Sequence, residues 1–262
     1  MSDKDSYEYY RQNDAFEVNV CSVLGDRDEQ QDSAAVELSD CEGIVVVCDG
    51  MGGHSGGKIA AELASRSLVE IYRKNCRTRN IPEMLFGAVD ILDEAVLALK
   101  DELGRPLFAG TTLCGVVVSN RQAYWVSVGD SRIYMIRGKE IAQVTSDHNY
   151  LYRLDEQLKS KAITQEEYES GKDKSEMLIS FIGVGGIELV DINSEPLVML
   201  SGDKILLTTD GLYKVLTEQE ILSVVSNMSN IKDAAPALIK KVKKKARKGY
   251  LDNTTLALIK IK

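Results

Sequence analysis

Histidine is scarce in this chain, which contains only His54 and His148 among its 262 residues. Any mechanism that needs several histidines is therefore excluded. The scarcity also argues against a zinc site, because histidine is one of the commonest zinc ligands.

Cysteine is present, but not in a pattern that builds structure. The five cysteines are odd in number and no two have the Cys-x-x-Cys spacing; they are Cys21, Cys41, Cys48, Cys76 and Cys114. We therefore expect neither a disulfide framework nor a structural zinc site. The pattern favours buried, reduced thiols in a cytoplasmic protein.

Long apolar runs are missing as well, since none approaches the roughly 18 residues that a membrane-spanning helix needs. The N-terminal segment MSDKDSYEYYRQNDAFEV is polar and acidic, unlike a signal peptide. Acidic residues outnumber basic ones by 40 to 32, and the formal net charge is -8. This balance argues against a general nucleic-acid binder. We expect a cytoplasmic protein whose partners are neither membranes nor nucleic acids.

One basic segment, KKVKKKARK at 240–248, departs from the acidic average. It falls near the end of a predicted helix, where the helix dipole favours cations. The apolar stripe of that helix leaves the cationic residues to one side; it consists of Ala235, Leu238, Ile239, Val242 and Ala246. We therefore predict a solvated helix face.

The spacing of apolar residues predicts an α+β protein with layers of sheet and helix. Helical spacing follows a glycine-rich loop and resumes near Pro82, where apolar residues recur as far as Leu103. Short strands between residues 111 and 145, separated by turn signals, predict an antiparallel meander.

The second half of the chain holds a predicted surface insertion at 149–177, polar and helical, with a capping box at Thr164 and Glu167. Strands return after it, and a further capping box at Thr217 and Glu220 begins a helix. No linker or internal repeat interrupts the pattern. We therefore expect one domain spanning residues 1–262.

The glycine-rich loop GMGGHSGGKI can be interpreted in several ways. Gly52 to Lys58 fits the start of a P-loop, but Ile59 stands where that motif needs a hydroxyl for magnesium. Ser55 lies in a G-x-S-x-G pattern, as in the nucleophile elbow of α/β hydrolases. Ser55 comes six residues after Asp49, where we expect the strand to end, and only His148 could complete a later triad. Neither interpretation accounts for the segment as well as the aspartate that precedes it.

Aspartates recur at predicted strand ends. Three follow strands and two precede them; the dipeptides are Asp49-Gly50, Asp130-Ser131, Asp210-Gly211, Asp32-Ser33 and Asp252-Asn253. One such pair is usually a turn. If the strands share a rim, however, five like charges repel strongly unless cations lie between them. Mg²⁺ and Mn²⁺ prefer such oxygen ligands.

These motifs resemble those of the metal-dependent Ser/Thr protein phosphatases of the 2C type, in their bacterial form. The matching segments run in the family's order over nearly the whole chain; they are GDRDEQQDS (25–33), VVCDGMGGHSGG (46–57), GTT (110–112), VGDSRIY (128–134), VTSDHNYLYRL (144–154), GDKILLTTDGL (202–212) and LDNTTLALI (251–259). The resemblance implies a four-layer α-β-β-α sandwich, in which two antiparallel sheets are flanked by helix pairs. The insertion 149–177 would be the family's flap.

The resemblance also implies a centre of two or three Mn²⁺ or Mg²⁺ ions. Asp49 would bridge two ions and the Gly50 carbonyl would bind one of them. The carboxylates of Asp210 and Asp252 would bind the other ion. A third ion would lie between Asp130 and Asp210.

Two further residues complete the implied catalytic set. Asp32 would contact the metal-bound waters, and Arg27 would bind the substrate phosphate. Hydrolysis of phosphoserine and phosphothreonine would then proceed by in-line attack of a water that bridges two ions. We expect a monomer whose substrates are proteins phosphorylated by a cognate Ser/Thr kinase.

The sequence departs from the family's usual pattern at Gln31, Met51 and Lys58, none of which removes an implied ligand. Gln31 and Lys58 stand where acidic residues are common, and Met51 stands where eukaryotic members carry a histidine. We expect His54 and His148 to be structural or to support the centre indirectly. Two alternatives stay open: an inactive phosphatase-fold module that binds phosphoproteins, and a hydrolase of small phosphoesters.

Overall fold

The computed structural model describes residues 6–53, 55–75, 80–246 and 249–262. Its strands are β1 (Tyr7–Gln12), β2 (Phe16–Val23), β3 (Asp32–Leu38), β4 (Glu42–Met51), β5 (Gly110–Thr111), β6 (Leu113–Ser119), β7 (Gln122–Val128), β8 (Arg132–Arg137), β9 (Glu140–Gln143), β10 (Asp191–Ile192), β11 (Leu197–Val198), β12 (Lys204–Thr208) and β13 (Thr254–Ile261). Its helices are α1 (Gly56–Asn75), α2 (Ile81–Leu97), α3 (Tyr150–Lys159), α4 (Gln165–Gly171), α5 (Asp210–Tyr213), α6 (Glu218–Asn227) and α7 (Ile231–Ala246).

The strands form two antiparallel sheets. The first sheet has the order β1-β2-β13-β12-β8-β9, and the second has the order β10-β7-β6-β4-β3, with β11 on β7 and β5 on β4. Strand β13, from the end of the described chain, pairs along its whole length with β2 from the beginning. The first sheet is therefore closed by contacts between distant parts of the sequence.

Four layers follow from where the apolar side chains lie. Strand β4 alternates: Ile44, Val46 and Cys48 pack beneath α1 and α2, whereas Val45 and Val47 face the first sheet. Helices α6 and α7 cover the outer face of the first sheet. Because both faces of each central strand are buried, these strands are almost continuously apolar. The predicted α-β-β-α sandwich is confirmed.

The predicted meander between 111 and 145 is wrong. Strand β7 pairs with β6 in the second sheet, whereas β8 pairs with β9 and β12 in the first. The chain crosses between sheets at Gly129, Asp130 and Ser131, a segment whose composition imitates a hairpin turn. This crossing carries one of the predicted metal ligands to the rim between the sheets.

Several boundaries also differ from the sequence prediction. Helix α2 ends at Leu97, and Leu103 lies beyond it with 77% of its surface exposed. Strand β4 continues through Asp49 to Met51, because its last two residues pair with β5. The polar N-terminal segment forms the edge strand β1, which lacks the apolar alternation that the prediction relied on.

The insertion at 149–177 is helical, as predicted, and consists of α3, α4 and a 3₁₀ turn at 172–174. Both predicted capping boxes are present, at Thr164 with Glu167 and at Thr217 with Glu220. The basic residues of α7 lie off its buried stripe, also as predicted. Arg247 and Lys248 lie outside the described residues. Within the described part, none of the helices combines the length and apolar character that crossing a bilayer demands.

The cysteine prediction is confirmed in part. Cys21, Cys48 and Cys114 are buried and free, whereas Cys41 is free but exposed. Cys76 lies outside the described residues.

Candidate active site

Asp32 and Asp49 are direct cross-strand partners in the antiparallel pair β3–β4. Partners in such a pair have Cβ atoms about 4.5–5.5 Å apart and share one face, so two like charges here are destabilising on their own. Asp32 is 5% exposed, and the Thr209 hydroxyl donates to its Oδ2 at 2.9 Å. Its Oδ1 is buried and has no hydrogen-bond partner among the described residues. This pair is therefore a place where a cation would stabilise the fold.

The backbone of Asp49 is fixed by Thr111, the last residue of β5, and by Thr112, which follows it. The Asp49 N–H donates to the Thr112 hydroxyl at 2.8 Å, and the Thr112 N–H donates to the Asp49 carbonyl at 2.8 Å. The Thr111 hydroxyl donates to the same carbonyl at 2.9 Å. Thr112 also shares a 2.7 Å hydrogen bond with the Ser131 hydroxyl, next to Asp130. Thr112 thus joins the loops that carry Asp49 and Asp130.

Two glycines permit the backbone contacts that bring the loops together. A Cβ atom on Gly50 would collide with the carbonyls of Gly57 and Gln31, so glycine lets the start of α1 press against β4. A Cβ atom on Gly211 would collide with the Asn253 carbonyl and the Thr254 hydroxyl. Absence of a side chain at this second position brings the start of α5 against the loop before β13.

Asp252 and Asp210 each pair with a cationic side chain of the protein. Arg27 binds Asp252 through two hydrogen bonds, from Nε at 2.6 Å and from Nη2 at 2.7 Å. Lys214, one turn after Asp210, lies 2.8 Å from its Oδ2. Lys214 also donates to Glu176 of the insertion at 3.1 Å. Both carboxylates are therefore accessible to cations.

Asp130 lies at the crossing between the sheets and is held through its backbone. The Tyr213 hydroxyl donates to the Asp130 carbonyl at 2.9 Å. The preceding N–H, that of Gly129, donates to Nδ1 of the buried His148 at 3.2 Å. His148 Nε2 lies 3.6 Å from the Asp191 carboxylate. His148 therefore supports the loop of Asp130 rather than facing the aspartates.

The five aspartates form one electrostatic cluster. Burial raises the pKa of Asp49 well above its usual range, and the charges of Asp32, Asp210, Asp130 and Asp252 raise it further. Burial and then the Asp210 charge raise the pKa of Asp130 to about 6. The pKa of Asp32 is also raised, mainly by burial. The structure thus brings together all five aspartates that the sequence singles out.

The donor set suits Mg²⁺ or Mn²⁺, which prefer carboxylate and carbonyl oxygens. The unpartnered Asp32 Oδ1 and the mutual repulsion of the aspartates both favour a cation. Among the described residues, however, no three Asp, Glu, His or Cys side chains form a ready set of ligands for one ion. Arg27 and Lys214 instead occupy two of the carboxylates.

Comparisons with known proteins agree with this geometry. The sequence model of the protein phosphatase 2C family matches residues 24–244. The chain is 32% identical over 219 residues to protein phosphatase PhpP of Streptococcus pneumoniae, covering 82% of this chain and 85% of that protein. The chain belongs to the protein phosphatase 2C family. The predicted family is therefore confirmed.

Solved structures of bacterial phosphatases share the fold of this family member. The serine/threonine phosphatase of S. agalactiae has a TM-score of 0.79 at 24% identity, covering 94% of this chain and 100% of that one. The catalytic domain of the phosphatase PstP, solved in complex with two manganese ions, has a TM-score of 0.73 at 22% identity. The likeness covers 94% of this chain and 98% of the PstP chain.

The nucleophile-elbow interpretation of the glycine-rich loop finds no support in the structure. The Ser55 hydroxyl donates to the Glu29 carboxylate at 2.7 Å. His148 supports the Asp130 loop instead, and His54 lies outside the described residues.

Gln31, a departure from the family pattern, approaches Glu29 and the Gly52 carbonyl with its amide at 3.4 Å each. A carboxylate at position 31 could not donate to either.

Lys214 and Thr112 belong to the site but were not singled out from the sequence. Lys214 follows Asp210 by four residues in a helical segment, a spacing that places opposite charges side by side. That signal could have identified it. Thr112 lies within the GTT motif, but its hydroxyl contacts depend on strand pairing that the sequence does not reveal.

Proposed function

We propose that this family member is a metal-dependent protein serine/threonine phosphatase that hydrolyses phosphoserine and phosphothreonine. The cluster of five aspartates, with a half-exposed arginine beside it, is the observation that carries the proposal. Family membership supports the same reaction class. We further propose that residues 1–262 form one catalytic domain, since β2 and β13 pair across the sequence.

Four aspartates and one backbone carbonyl would hold the cations, and a fifth aspartate would contact water bound to them. The proposed ligands are Asp49, the Gly50 carbonyl, Asp210 and Asp252, with Asp130 and Asp210 for a third ion and Asp32 facing metal-bound water. Divalent cations at such a site supply an acidified water and offset the charge of the phosphate. Either Mn²⁺ or Mg²⁺ could fill this role, and the manganese in the PstP structure favours Mn²⁺ as the first ion to test.

Arg27 is proposed to bind the substrate phosphate. Its guanidinium already holds a carboxylate through two parallel bonds, and a phosphate offers the same spacing of oxygens. Its side chain is 50% exposed, so a substrate can reach it. Asp32 is proposed to have a different role. Its free Oδ1 can accept a hydrogen bond from a water, while Thr209 fixes Oδ2.

Cation binding at Asp252 and Asp210 would require the Arg27 and Lys214 ion pairs to open. Arg27 would then be released toward the phosphate. Lys214 would keep its contact with Glu176 and so link the insertion to the site. We propose a monomer in the cytoplasm whose substrates are products of a Ser/Thr kinase.

The proposal is tested by phosphate release from a phosphothreonine peptide, compared with release from nucleotides, after chelation and again after addition of Mn²⁺. Metal-dependent release that is faster from the peptide is the expected result. Faster release from nucleotides would favour a hydrolase of small phosphoesters. Tight peptide binding without release in any metal would favour an inactive phosphoprotein-binding module. An Asp49→Asn variant controls for contaminating phosphatase.

A further inference from the structure

An apolar groove of about 360 Å³ lies beside the candidate active site. None of its lining side chains is charged, and its walls include Met51, Leu97, Phe108, Phe181 and Val184. Three of the apolar side chains are well exposed: Phe108 at 90%, Leu97 at 54% and Val184 at 39%. The groove therefore presents apolar surface to solvent at a place where the rest of the site is acidic.

The groove is continuous with the site. Met51 and Gly52 directly follow Gly50, whose carbonyl is a proposed metal ligand, and Met51 pairs with Gly110 of β5. A strand rises about 3.3 Å per residue, so Met51 lies only about 7 Å along β4 from Asp49. The opposite wall, Phe181 to Val184, comes soon after the insertion 149–177. A chain that placed a phosphate on the aspartate cluster would pass this groove.

Internal hydrogen bonds order the loop at 98–109, which forms one wall of the groove. The Asp101 carboxylate accepts the N–H groups of Leu103 and Arg105, both at 2.9 Å, and pairs with the Arg105 side chain at 2.7 Å. The Leu107 N–H donates to the Leu99 carbonyl at 3.0 Å, just before Phe108. These bonds order the loop without burying its apolar residues.

The wall at 183–186 is fixed by one buried carboxylate. Asp93 of α2 is 6% exposed and accepts the N–H groups of Gly183 at 2.6 Å, Gly185 at 3.3 Å and Gly186 at 2.9 Å. Val184 is thereby held at the rim of the groove. Both walls are consequently formed before any ligand binds, which lowers the entropy lost on binding.

Packing within the fold does not explain the backbone conformation and the exposure of Phe108. Its φ is +48°, in the left-handed region, which is unfavourable for a bulky side chain. The ring is also almost wholly exposed, so it adds nothing to the core. A strained backbone that presents an apolar ring next to an active site points to a role in binding.

We infer that this groove binds a large apolar side chain of the phosphoprotein substrate, a few residues from the phosphorylated serine or threonine. The inference rests on the proposed phosphatase function and adds a substrate class to it. The absence of charged lining residues excludes recognition of a flanking acidic or basic residue there. Phe108 and Val184 would form the two sides of the subsite.

The test compares two phosphothreonine peptides that differ only in having leucine or serine at the positions within a few residues of the phosphothreonine. The wild-type protein should have a kcat/KM about tenfold higher for the leucine peptide, as expected for burial of part of an apolar side chain. Phe108→Asn removes the ring, and asparagine tolerates the left-handed backbone. This variant should abolish most of the tenfold preference. Val184→Asn should reduce it from the opposite wall.

Leu103→Asn is the matched control, because Leu103 is 77% exposed in the same loop but does not line the groove. It should keep the full preference. Equal kcat/KM for the two peptides in the wild type would overturn the inference while leaving the phosphatase proposal intact. A preference that survives in both Phe108→Asn and Val184→Asn would also overturn it. No hydrolysis of either peptide at any metal concentration would overturn the phosphatase proposal and this inference with it.

Discussion

Arg27 donates to both oxygens of Asp252, although the two residues are 225 positions apart in the chain. This ion pair joins the proposed phosphate-binding residue to a proposed metal ligand. The hydrogen bond to Asp252 is the main reason that the pKa of Arg27 is raised above its usual value. We therefore expect metal binding and phosphate binding to be coupled, because the cation and the guanidinium would compete for one carboxylate.

Arg27→Ala should separate these two roles. The loss of its charge-assisted hydrogen bonds to phosphate, together contributing roughly 1.5–3 kcal/mol, should lower kcat/KM by about ten- to a hundredfold, mostly through KM. Affinity for Mn²⁺ should rise, because Asp252 loses its competing cation. The measurements are steady-state kinetics on a phosphothreonine peptide and calorimetric titration with Mn²⁺. Arg11→Ala, which alters an exposed arginine of β1, serves as the control. Unchanged kinetics would refute the phosphate-binding role.

Asp210→Asn and Asp252→Asn should weaken Mn²⁺ binding and turnover together. Asparagine keeps the shape of the side chain but removes the charge that favours a divalent cation. The free energy of unfolding in the absence of metal should change little, because each change relieves repulsion within the cluster but also breaks the ion pair with Arg27 or Lys214. Calorimetric titration and urea unfolding measure the two effects. Asp233→Asn, at the exposed start of α7, is the matched control. Normal turnover of Asp252→Asn at limiting metal would show that Asp252 is not a ligand.

His148→Ala should destabilise the loop that carries Asp130. The change leaves the buried N–H of Gly129 without its acceptor, at a cost of about 1–3 kcal/mol. His148→Asn should recover part of that free energy, because its amide oxygen can take the place of Nδ1. Urea unfolding measures the stability, and turnover at limiting Mn²⁺ measures the effect on the site. Equal stability of His148→Ala and the wild type would contradict the supporting role.

Glu220 should give a pH-dependent contribution to stability. Hydrogen bonds from Lys245 and from the Thr217 N–H lower the pKa of Glu220 to about 2, below the roughly 4.3 of an unfolded chain. Its charged form thus stabilises the native state above about pH 4.5, and the contribution is lost as the pH falls toward 2. The difference in urea midpoint between the wild type and Glu220→Gln should be largest near neutral pH and shrink below about pH 4.5. A difference that grows as the pH falls would contradict this assignment.

Local patterns were enough to predict an α+β protein with layers of sheet and helix, because apolar alternation and capping boxes act within a few residues. The four-layer order of the sandwich was implied by the family resemblance. Local patterns were not enough for the path between the sheets. Gly129-Asp130-Ser131 has the composition of a hairpin turn, and only the pairing of β7 with β6 and β8 with β12 shows that it is a crossing. Strand β1 was not predicted because its own sequence lacks apolar alternation. The strand forms through its pairing with β2.

The aspartates of the site could be singled out from the sequence because each stands beside a strand and a small residue. What their side chains contact could not be predicted. The Arg27–Asp252 pair depends on the approach of the first loop to the last, and the support of Asp130 by His148 depends on the sheet crossing. Phe108 carries no sequence signal, since its unusual backbone and exposure appear only in the folded loop.

Anomalous diffraction from crystals soaked in Mn²⁺ is the decisive measurement for the proposed metal centre. We expect at least two peaks bounded by Asp49, the Gly50 carbonyl, Asp210 and Asp252, with the Arg27 guanidinium withdrawn from Asp252. Arg27 still bound to Asp252 at saturating Mn²⁺, with no peak among the aspartates in protein that hydrolyses a phosphothreonine peptide, would contradict it.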